Sequence, residues 1–361
     1  MDVGDDLGLG QVERLIRTAQ VAAMVREALA AELFLGQLVA LDERSHGAVE
    51  HDDALSHQVA KLEFLAHPAF EFRARPYADG VNDPLSPSTD ALLAAWRSRV
   101  AADKEQVERA REEPDPTDFY APTANRFRMD PRRTDDSTVN VLLSFARQEE
   151  IWLDIGAGGG RYALPLALRV KEVFAIDPSP AMLSALAEDA AANHIENCRV
   201  IESRWPMSEP PRADASLMAH VGYDIAEIGP FLDQMETCAS RLCVAVMGES
   251  AMATVSALFW RQIHGEPRVR LPALPELVTL LFARGRLPEI TLVDRVPPTF
   301  DSVEDALSTA RRQLWLRRGS ARDERLVQVA GEVLTERDGR FAFEWTPTKI
   351  GIVSWAPPKS M

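Results

Sequence analysis

From residue 150 onward, short apolar runs alternate with stretches whose apolar positions recur every three or four residues. The runs read as strands and the periodic stretches as helices. Strands are expected at 150–155, 172–176, 199–202, 213–221 and 242–247. Helices are expected at 162–170, 181–192, 230–240 and 252–264, with a short one before them at 138–146. Such alternation predicts a parallel sheet with helices on both faces. Two further strands are expected at 289–295 and 349–355. Helical patterns at 271–282, 302–316 and 322–336 lie before and between them.

The first third has another texture. Val12, Leu15, Ile16, Val21, Met24, Val25, Leu29, Phe34, Leu38 and Leu41 form a broad apolar stripe at helical spacing. This reads either as a helical cap on the same subunit or as a homodimer surface, and both remain open. Pro68, Pro76, Gly80, Pro84 and Pro87 then break the pattern. Asp90 reads as the N-cap of a helix over 91–111. The run 112–117, with Pro114 and Pro116, reads as a linker. The expected division is therefore a mainly helical region, 1–112, and a second domain, 113–361, with helical insertions around 265–288 and 300–340.

The 361 residues carry a formal net charge of −15, which disfavours a phosphate backbone as partner. No apolar run reaches the ~18 residues that a membrane span needs. The start lacks the basic and apolar segments of a signal peptide. The three cysteines, Cys198, Cys238 and Cys243, form no CxxC. They are expected to be reduced thiols in a cytoplasmic protein. The histidines show no metal-ligand spacing, so no metal is expected.

The chemistry concentrates in the stretch from Trp152 to Tyr162, where Asp154, Gly156, Gly158 and Gly160 alternate with other residues between a strand and a helix. Glycines suit a turn that needs unusual backbone angles and lets a ligand approach the main chain. The helix start adds free N–H groups and the positive dipole end. A GxGxxG dinucleotide fingerprint would place its third glycine at Arg161, which argues against a nicotinamide enzyme. The next strand ends at Asp177, 17 residues past Gly160. A carboxylate there can accept from both ribose hydroxyls. Pro178 follows, then Ser179 as an N-cap and Pro180 at the first helical position.

This D-x-G-x-G-x-G pattern, with Asp177 after it, resembles the class I S-adenosylmethionine-dependent methyltransferases. The resemblance covers roughly residues 118–265. It implies a Rossmann-like, doubly wound α/β fold: a mostly parallel seven-stranded sheet whose last strand is antiparallel. It implies S-adenosylmethionine as cofactor, with Asp154 at the methionine end and Gly156, Ala157, Gly158, Gly160 and Arg161 in the loop beneath it. Asp177 and Pro178 then stand at the ribose, and Ser203, Arg204 and Trp205 beside the adenine. Tyr120, Phe127 and Arg128 are candidates for a lid.

The resemblance also sets the end of the fourth strand against the transferred methyl. His220 is the candidate base or methionine-end contact there, with Tyr223 and Asp224 as alternates. The sequence is neither the NPPY type nor rich in acids of a catechol-type metal site. His264 reads as a helix-terminal histidine suited to the dipole. The expected function is methyl transfer by in-line displacement to a small-molecule acceptor. The alternatives are a non-enzymatic cofactor-binding and assembly module, or an NAD-dependent oxidoreductase.

Overall fold

A computed structural model of the chain describes residues 87–114, 118–119, 121–251, 254–343 and 349–358. The expectations for 10–45, for the loops up to residue 86 and for Tyr120 fall outside these residues. The chain divides between Asp83 and Pro84 into two units, and all described residues belong to the second.

Helix α1, Thr89–Ala110, is capped by Ser88, whose Oγ accepts from the Ala91 N–H at 3.2 Å. Asp90, expected as the cap, instead lies in the first turn, where its charge suits the dipole. The boundary expected near residue 112 does not separate packing units. Trp96 and Val100 of α1 lie in the main hydrophobic core, and the Trp96 indole N–H donates to the Ile225 carbonyl at 3.0 Å.

A 3-10 turn, Ala121–Phe127, and helix α2, Ser137–Phe145, lead into the sheet. Then follow β1 Ile151–Ile155, α3 Ala163–Ala167, β2 Glu172–Asp177, α4 Pro180–Ala192, β3 Cys198–Glu202 and β4 Ala213–Ala219. Next come α5 Ile228–Cys238, β5 Ala239–Gly248, α6 Thr254–His264, α7 Leu274–Ala283 and β6 Glu289–Asp294. The chain continues through α8 Val303–Gln313, α9 Ala321–Val333, β7 Leu334–Arg337, β8 Arg340–Phe343 and β9 Lys349–Trp355. Seven strands form one sheet in the order β3-β2-β1-β4-β5-β9-β6. The neighbours from β3 to β5 pair in parallel, and β9 runs antiparallel to both β5 and β6. This is the sheet expected from the sequence.

Both faces of the sheet's centre are covered because the central strands β1, β4, β5 and β9 are apolar on both sides. Along β1, Trp152 enters one core layer, with α2, α3 and α4, while Leu153 and Ile155 enter the other, with α1, α5 and α7. A third core joins Val107 and Ala110 of α1, Phe259 and Trp260 of α6, and residues of α8, α9 and the β7–β8 hairpin. The helix expected over 322–336 ends at Val333, and Leu334–Arg337 forms a strand instead. The cause is the turn at Asp338-Gly339, where both residues have positive φ, 53° and 74°. That pair favours a tight hairpin, which turns the chain back so that Leu334 lies opposite Phe343. Among the described residues no helix is long and apolar enough to cross a membrane.

Candidate functional site

Sequential strands lie on opposite sides of β1, so the chain reverses its direction of winding between β1 and β4. Ligands of open α/β sheets bind at such a switch point, outside the carboxyl ends of the strands. The ends of β1, β2, β4, β5 and β6 bring Asp154, Asp177, His220, Gly248 and Arg295 to this edge.

The glycine loop leaves β1 with the N–H groups of Gly156 and Ala157 both donating to the Ile176 carbonyl, at 2.8 and 3.0 Å. Gly156 has φ 76°, and a Cβ there would lie 2.3 Å from Val221 Cγ2. No side chain fits that crossing of β1 and the β4 loop. Gly158 is different. Its φ is 53°, yet a Cβ would meet nothing nearer than Met182 Sδ at 4.0 Å. The space above Gly158 is open, as a loop that receives a ligand requires.

Asp177 holds the loop. Its Oδ2 accepts from the Gly158 N–H and its Oδ1 from the Ser179 N–H, both at 2.9 Å. A carboxylate has about four acceptor positions, so two remain for hydroxyl donors. Burial raises the Asp177 pKa, and the two N–H groups oppose the rise. Ser179 caps α4 as expected, accepting from the Met182 N–H at 3.2 Å, and its hydroxyl donates to Asp118 at 2.7 Å.

Asp154 is the less ordinary acid. It is 1% exposed, and neither carboxylate oxygen has a hydrogen-bond partner of normal geometry. Burial, with the Asp177 carboxylate second, pushes its pKa up to about 7. The Ala163 N–H opposes that rise, but a buried carboxylate so poorly provided with donors is costly, so the position suits a group that brings a cation or donors with it.

The lead-in segment lies over the loop in part. A Cβ on Gly159 would come within 3.2 Å of Phe127 Cβ. Arg128, expected in the lid, instead grips the outside of α4 through Asp189 and Glu188, at 2.5 and 2.8 Å. Arg161 turns away from the loop, to Asp136 at 3.0 Å. Beside the expected adenine position, the Ser203 hydroxyl donates to the Arg204 carbonyl at 3.0 Å, and Arg204 is exposed. The Trp205 indole is pinned, its N–H donating to the Phe231 carbonyl at 3.1 Å with the rings edge to face. Pro178 lies between Asp177 and the helix cap, where it shapes the turn.

His220 has φ 57°, an uncommon conformation for a residue with a side chain. Its Nε2 lies 3.2 Å from the Tyr162 hydroxyl and its Nδ1 3.5 Å from that of Tyr223. Burial first, then the Arg161 and Arg295 guanidinium groups, pushes its pKa down to about 3. A histidine neutral to that degree is a weak proton acceptor at pH 7. His264 lies in the third core, with Nε2 at 3.1 Å from the Leu314 carbonyl and its ring against Trp260. Asp224, next to Tyr223, is exposed. Among the described residues, no three potential metal ligands cluster.

Sequence reasoning missed Tyr162, Arg295 and Gly248. Tyr162 follows the glycine motif directly, and the other two end parallel strands, a signal that could have found them.

Residues 153–235 match the model of a family described as a methyltransferase domain. Over 73 residues the chain is 37% identical to a 23S rRNA (uracil(1939)-C(5))-methyltransferase of Pseudomonas fluorescens, covering 20% of this chain and 16% of that protein. Over 175 residues it is 23% identical to an uncharacterized protein of Haemophilus influenzae, covering 46% and 62%. The chain thus spans less than two thirds of these relatives. Among solved structures, the YcgJ protein of Bacillus subtilis aligns with a TM-score of 0.43 at 16% identity, covering 61% of this chain and 98% of that one. The magnesium protoporphyrin IX methyltransferase of Synechocystis, solved with bound S-adenosylhomocysteine, aligns with a TM-score of 0.39 at 12% identity, covering 74% and 99%.

Proposed function

We propose that this chain, whose residues 153–235 carry a class I S-adenosylmethionine-dependent methyltransferase domain, transfers a methyl group to a small-molecule acceptor. The observation that carries the cofactor half is the glycine loop: open space above Gly158, with Asp177 holding the loop and keeping two acceptor positions spare. The buried carboxylate of Asp154 fits the same group, because the amino-acid end of the cofactor brings an ammonium donor. When bound, S-adenosylmethionine supplies an electrophilic methyl on a sulfonium sulfur.

The chain's own residues do the rest. Asp177 holds the ribose hydroxyls, and Gly158 lets the ligand reach the main chain. Ser203, Arg204 and Trp205, with Pro178, border the adenine end, where the pinned Trp205 offers a rigid wall. His220 and Tyr223 stand at the acceptor side. Transfer of this kind depends on alignment and on excluding water.

The acceptor half is supported by the third core. The insertion carrying α8, α9 and the hairpin packs on α6 and α1. Arg126 of the lead-in pairs with Asp305 and bonds to Thr309 of α8, and the Phe119 ring packs tilted against Trp315 at 5.4 Å between centroids. On this reading the tied insertion and lead-in would cover a small acceptor. The net charge of −15 points the same way. An RNA acceptor is the second reading, drawn from the ribosomal RNA enzyme that resembles 20% of this chain.

Thermal unfolding with S-adenosylmethionine, S-adenosylhomocysteine and NAD in parallel tests the cofactor. A ligand at ~100 times its Kd adds about 2.7 kcal/mol to the state that it binds. The rise is expected with the two adenosyl sulfur compounds only, and a rise with NAD alone sinks the reading. Transfer of tritiated methyl to a metabolite pool then tests the acceptor class. Transfer to RNA alone, with binding that weakens steeply as salt rises, would favour the second reading.

A further inference from the structure

Helix α8 ends in a turn that helices commonly close with glycine. The Leu316 N–H donates to the Arg311 carbonyl at 3.0 Å, and the Trp315 N–H to the Arg312 carbonyl at 3.2 Å. This pair of bonds sets residue 315 in the left-handed region, and its φ is 58°. Glycine adopts that conformation without strain, and a bulky side chain does not. The chain nevertheless carries tryptophan there. Strain of this kind persists where the surroundings over-determine the backbone. At Trp315 they do. Its carbonyl accepts from the Glu112 N–H at 2.9 Å, and the Glu112 carboxylate accepts from the Arg317 N–H at 2.9 Å, so the end of α1 clamps the turn. The Arg111 guanidinium lies 5.2 Å from the Trp315 ring centre.

The clamped indole meets the lead-in. Trp315 packs against Phe119, and Arg312 lies 5.4 Å from the Phe119 ring centre. Two rings in contact, each with a cation near it, make a firm anchor for Phe119. The preceding residue, Asp118, accepts from the Ser179 hydroxyl at 2.7 Å. Ser179 caps α4 and donates its N–H to Asp177, which in turn holds the Gly158 N–H. Asp118 stands close enough to Asp177 to raise its pKa. Like charges repel, so the bond from Ser179 to Asp118 gains from an anchor on the lead-in, and Phe119 supplies one. Further along the same segment, Ala124 packs among Met182 and Ala185 of α4, while Arg126 pairs with Asp305 of α8. The lead-in thus touches the helix beside the loop and the insertion at once.

We propose that Trp315 is a positioning residue: through Phe119 it holds Asp118 against Ser179, and so fixes the loop that Asp177 keeps ready for the cofactor. Binding at the loop and packing of the insertion then form one linked equilibrium, each favouring the other by the same factor. The cofactor's part in this rests on the methyltransferase reading. The hold of Trp315 on Ser179 does not.

Hydrogen–deuterium exchange of the full, ligand-free chain tests the hold. The peptide spanning 178–186 should exchange faster in Trp315→Ala than in wild type. Phe119→Ala, cut from the other side of the contact, should reproduce the effect, and Trp315→Phe, which keeps a ring for Phe119, should restore most of the protection. Leu326→Ala empties the same core from α9 instead and should leave that peptide unchanged. Unchanged exchange in both alanine variants of the ring pair, or equal acceleration in Leu326→Ala, overturns the proposal. Calorimetry with S-adenosylhomocysteine tests the link. Trp315→Ala should weaken binding about tenfold, and Asp118→Ala by a similar factor. The double variant should bind within about twofold of Asp118→Ala alone, because both changes act through Ser179. Losses that multiply, or full affinity in Trp315→Ala, overturn the link. Failure of wild type to bind S-adenosylhomocysteine sinks the methyltransferase reading, and the exchange result still decides the hold.

Discussion

Asp154 and Asp177 are two carboxylates at neighbouring strand ends, and their surroundings separate their roles. Asp154 is buried with only the Ala163 N–H to offset the loss of solvent, and burial first, then the Asp177 charge, pushes its pKa up to about 7. A folded value above the unfolded one means that the native state binds more protons in between. The stability from this group is therefore full below the ordinary carboxylate value and is lost as pH rises through 7. Asp177, Tyr162 and Cys198 are the titratable groups that sense the same charge. Thermal unfolding of ligand-free protein from pH 5 to 8 should show wild type losing stability relative to Asp154→Asn, and parallel curves would contradict the assignment. Asp177 has the opposite character, since it is already hydrogen-bonded to the loop. Asp177→Ala should weaken S-adenosylhomocysteine binding by roughly 1.5–3 kcal/mol, the usual range for hydrogen bonds to a charged group. Because the Gly158 and Ser179 N–H groups also lose their acceptor, its melting temperature should fall as well. Asp177→Asn retains an acceptor oxygen, so it should separate the two effects: affinity falls in both variants, but the melting temperature falls less.

At the scale of the element, the glycine loop shows that glycines in one motif answer different demands. Gly156 is excluded from bearing a side chain by the protein itself, because Val221 crosses 2.3 Å from the Cβ position. Gly158 is spared for its left-handed backbone and for a ligand, not for want of room. Gly156→Ala is expected to destabilise the fold in urea unfolding, by overpacking of the kind that costs about 1–3 kcal/mol together with backbone strain. Gly158→Ala should cost only the left-handed strain, about 1–2 kcal/mol, yet abolish binding of S-adenosylhomocysteine by calorimetry. Retained binding in Gly158→Ala would show that the cofactor does not lie over the loop.

For the whole molecule, the position of α1 decides how the chain can be divided. Trp96 and Val100 fill the main core, and Val107 and Ala110 the third one. The Glu112 carboxylate accepts from the Ser320 hydroxyl at 2.6 Å, tying the end of α1 to the insertion. A chain beginning at residue 84 should keep a cooperative thermal transition, since it retains every core residue described above. A chain beginning at residue 113 should lose it, because that truncation exposes the apolar surfaces that α1 covers. Cooperative unfolding of the shorter chain would show that α1 is dispensable.

The sequence by itself determined the order of strands and helices from residue 151 to 264, the loop from Asp154 to Gly160, Asp177 as its partner and Ser179 as a cap. These are local facts: apolar period, backbone freedom at glycine and capping chemistry act within a few residues. The β7–β8 hairpin was missed, because helical periodicity over 322–336 outweighed the turn pair Asp338-Gly339 that follows it. Tertiary structure alone decided which residues meet at the sheet edge. His220 reads in sequence as a candidate base, yet burial first, then the charges of Arg161 and Arg295, make it a neutral ring. Those partners lie up to 75 residues away along the chain, brought in by the ends of different strands. Charge state and hydrogen-bond direction are properties of surroundings, and surroundings of that range exist only once the sheet has formed.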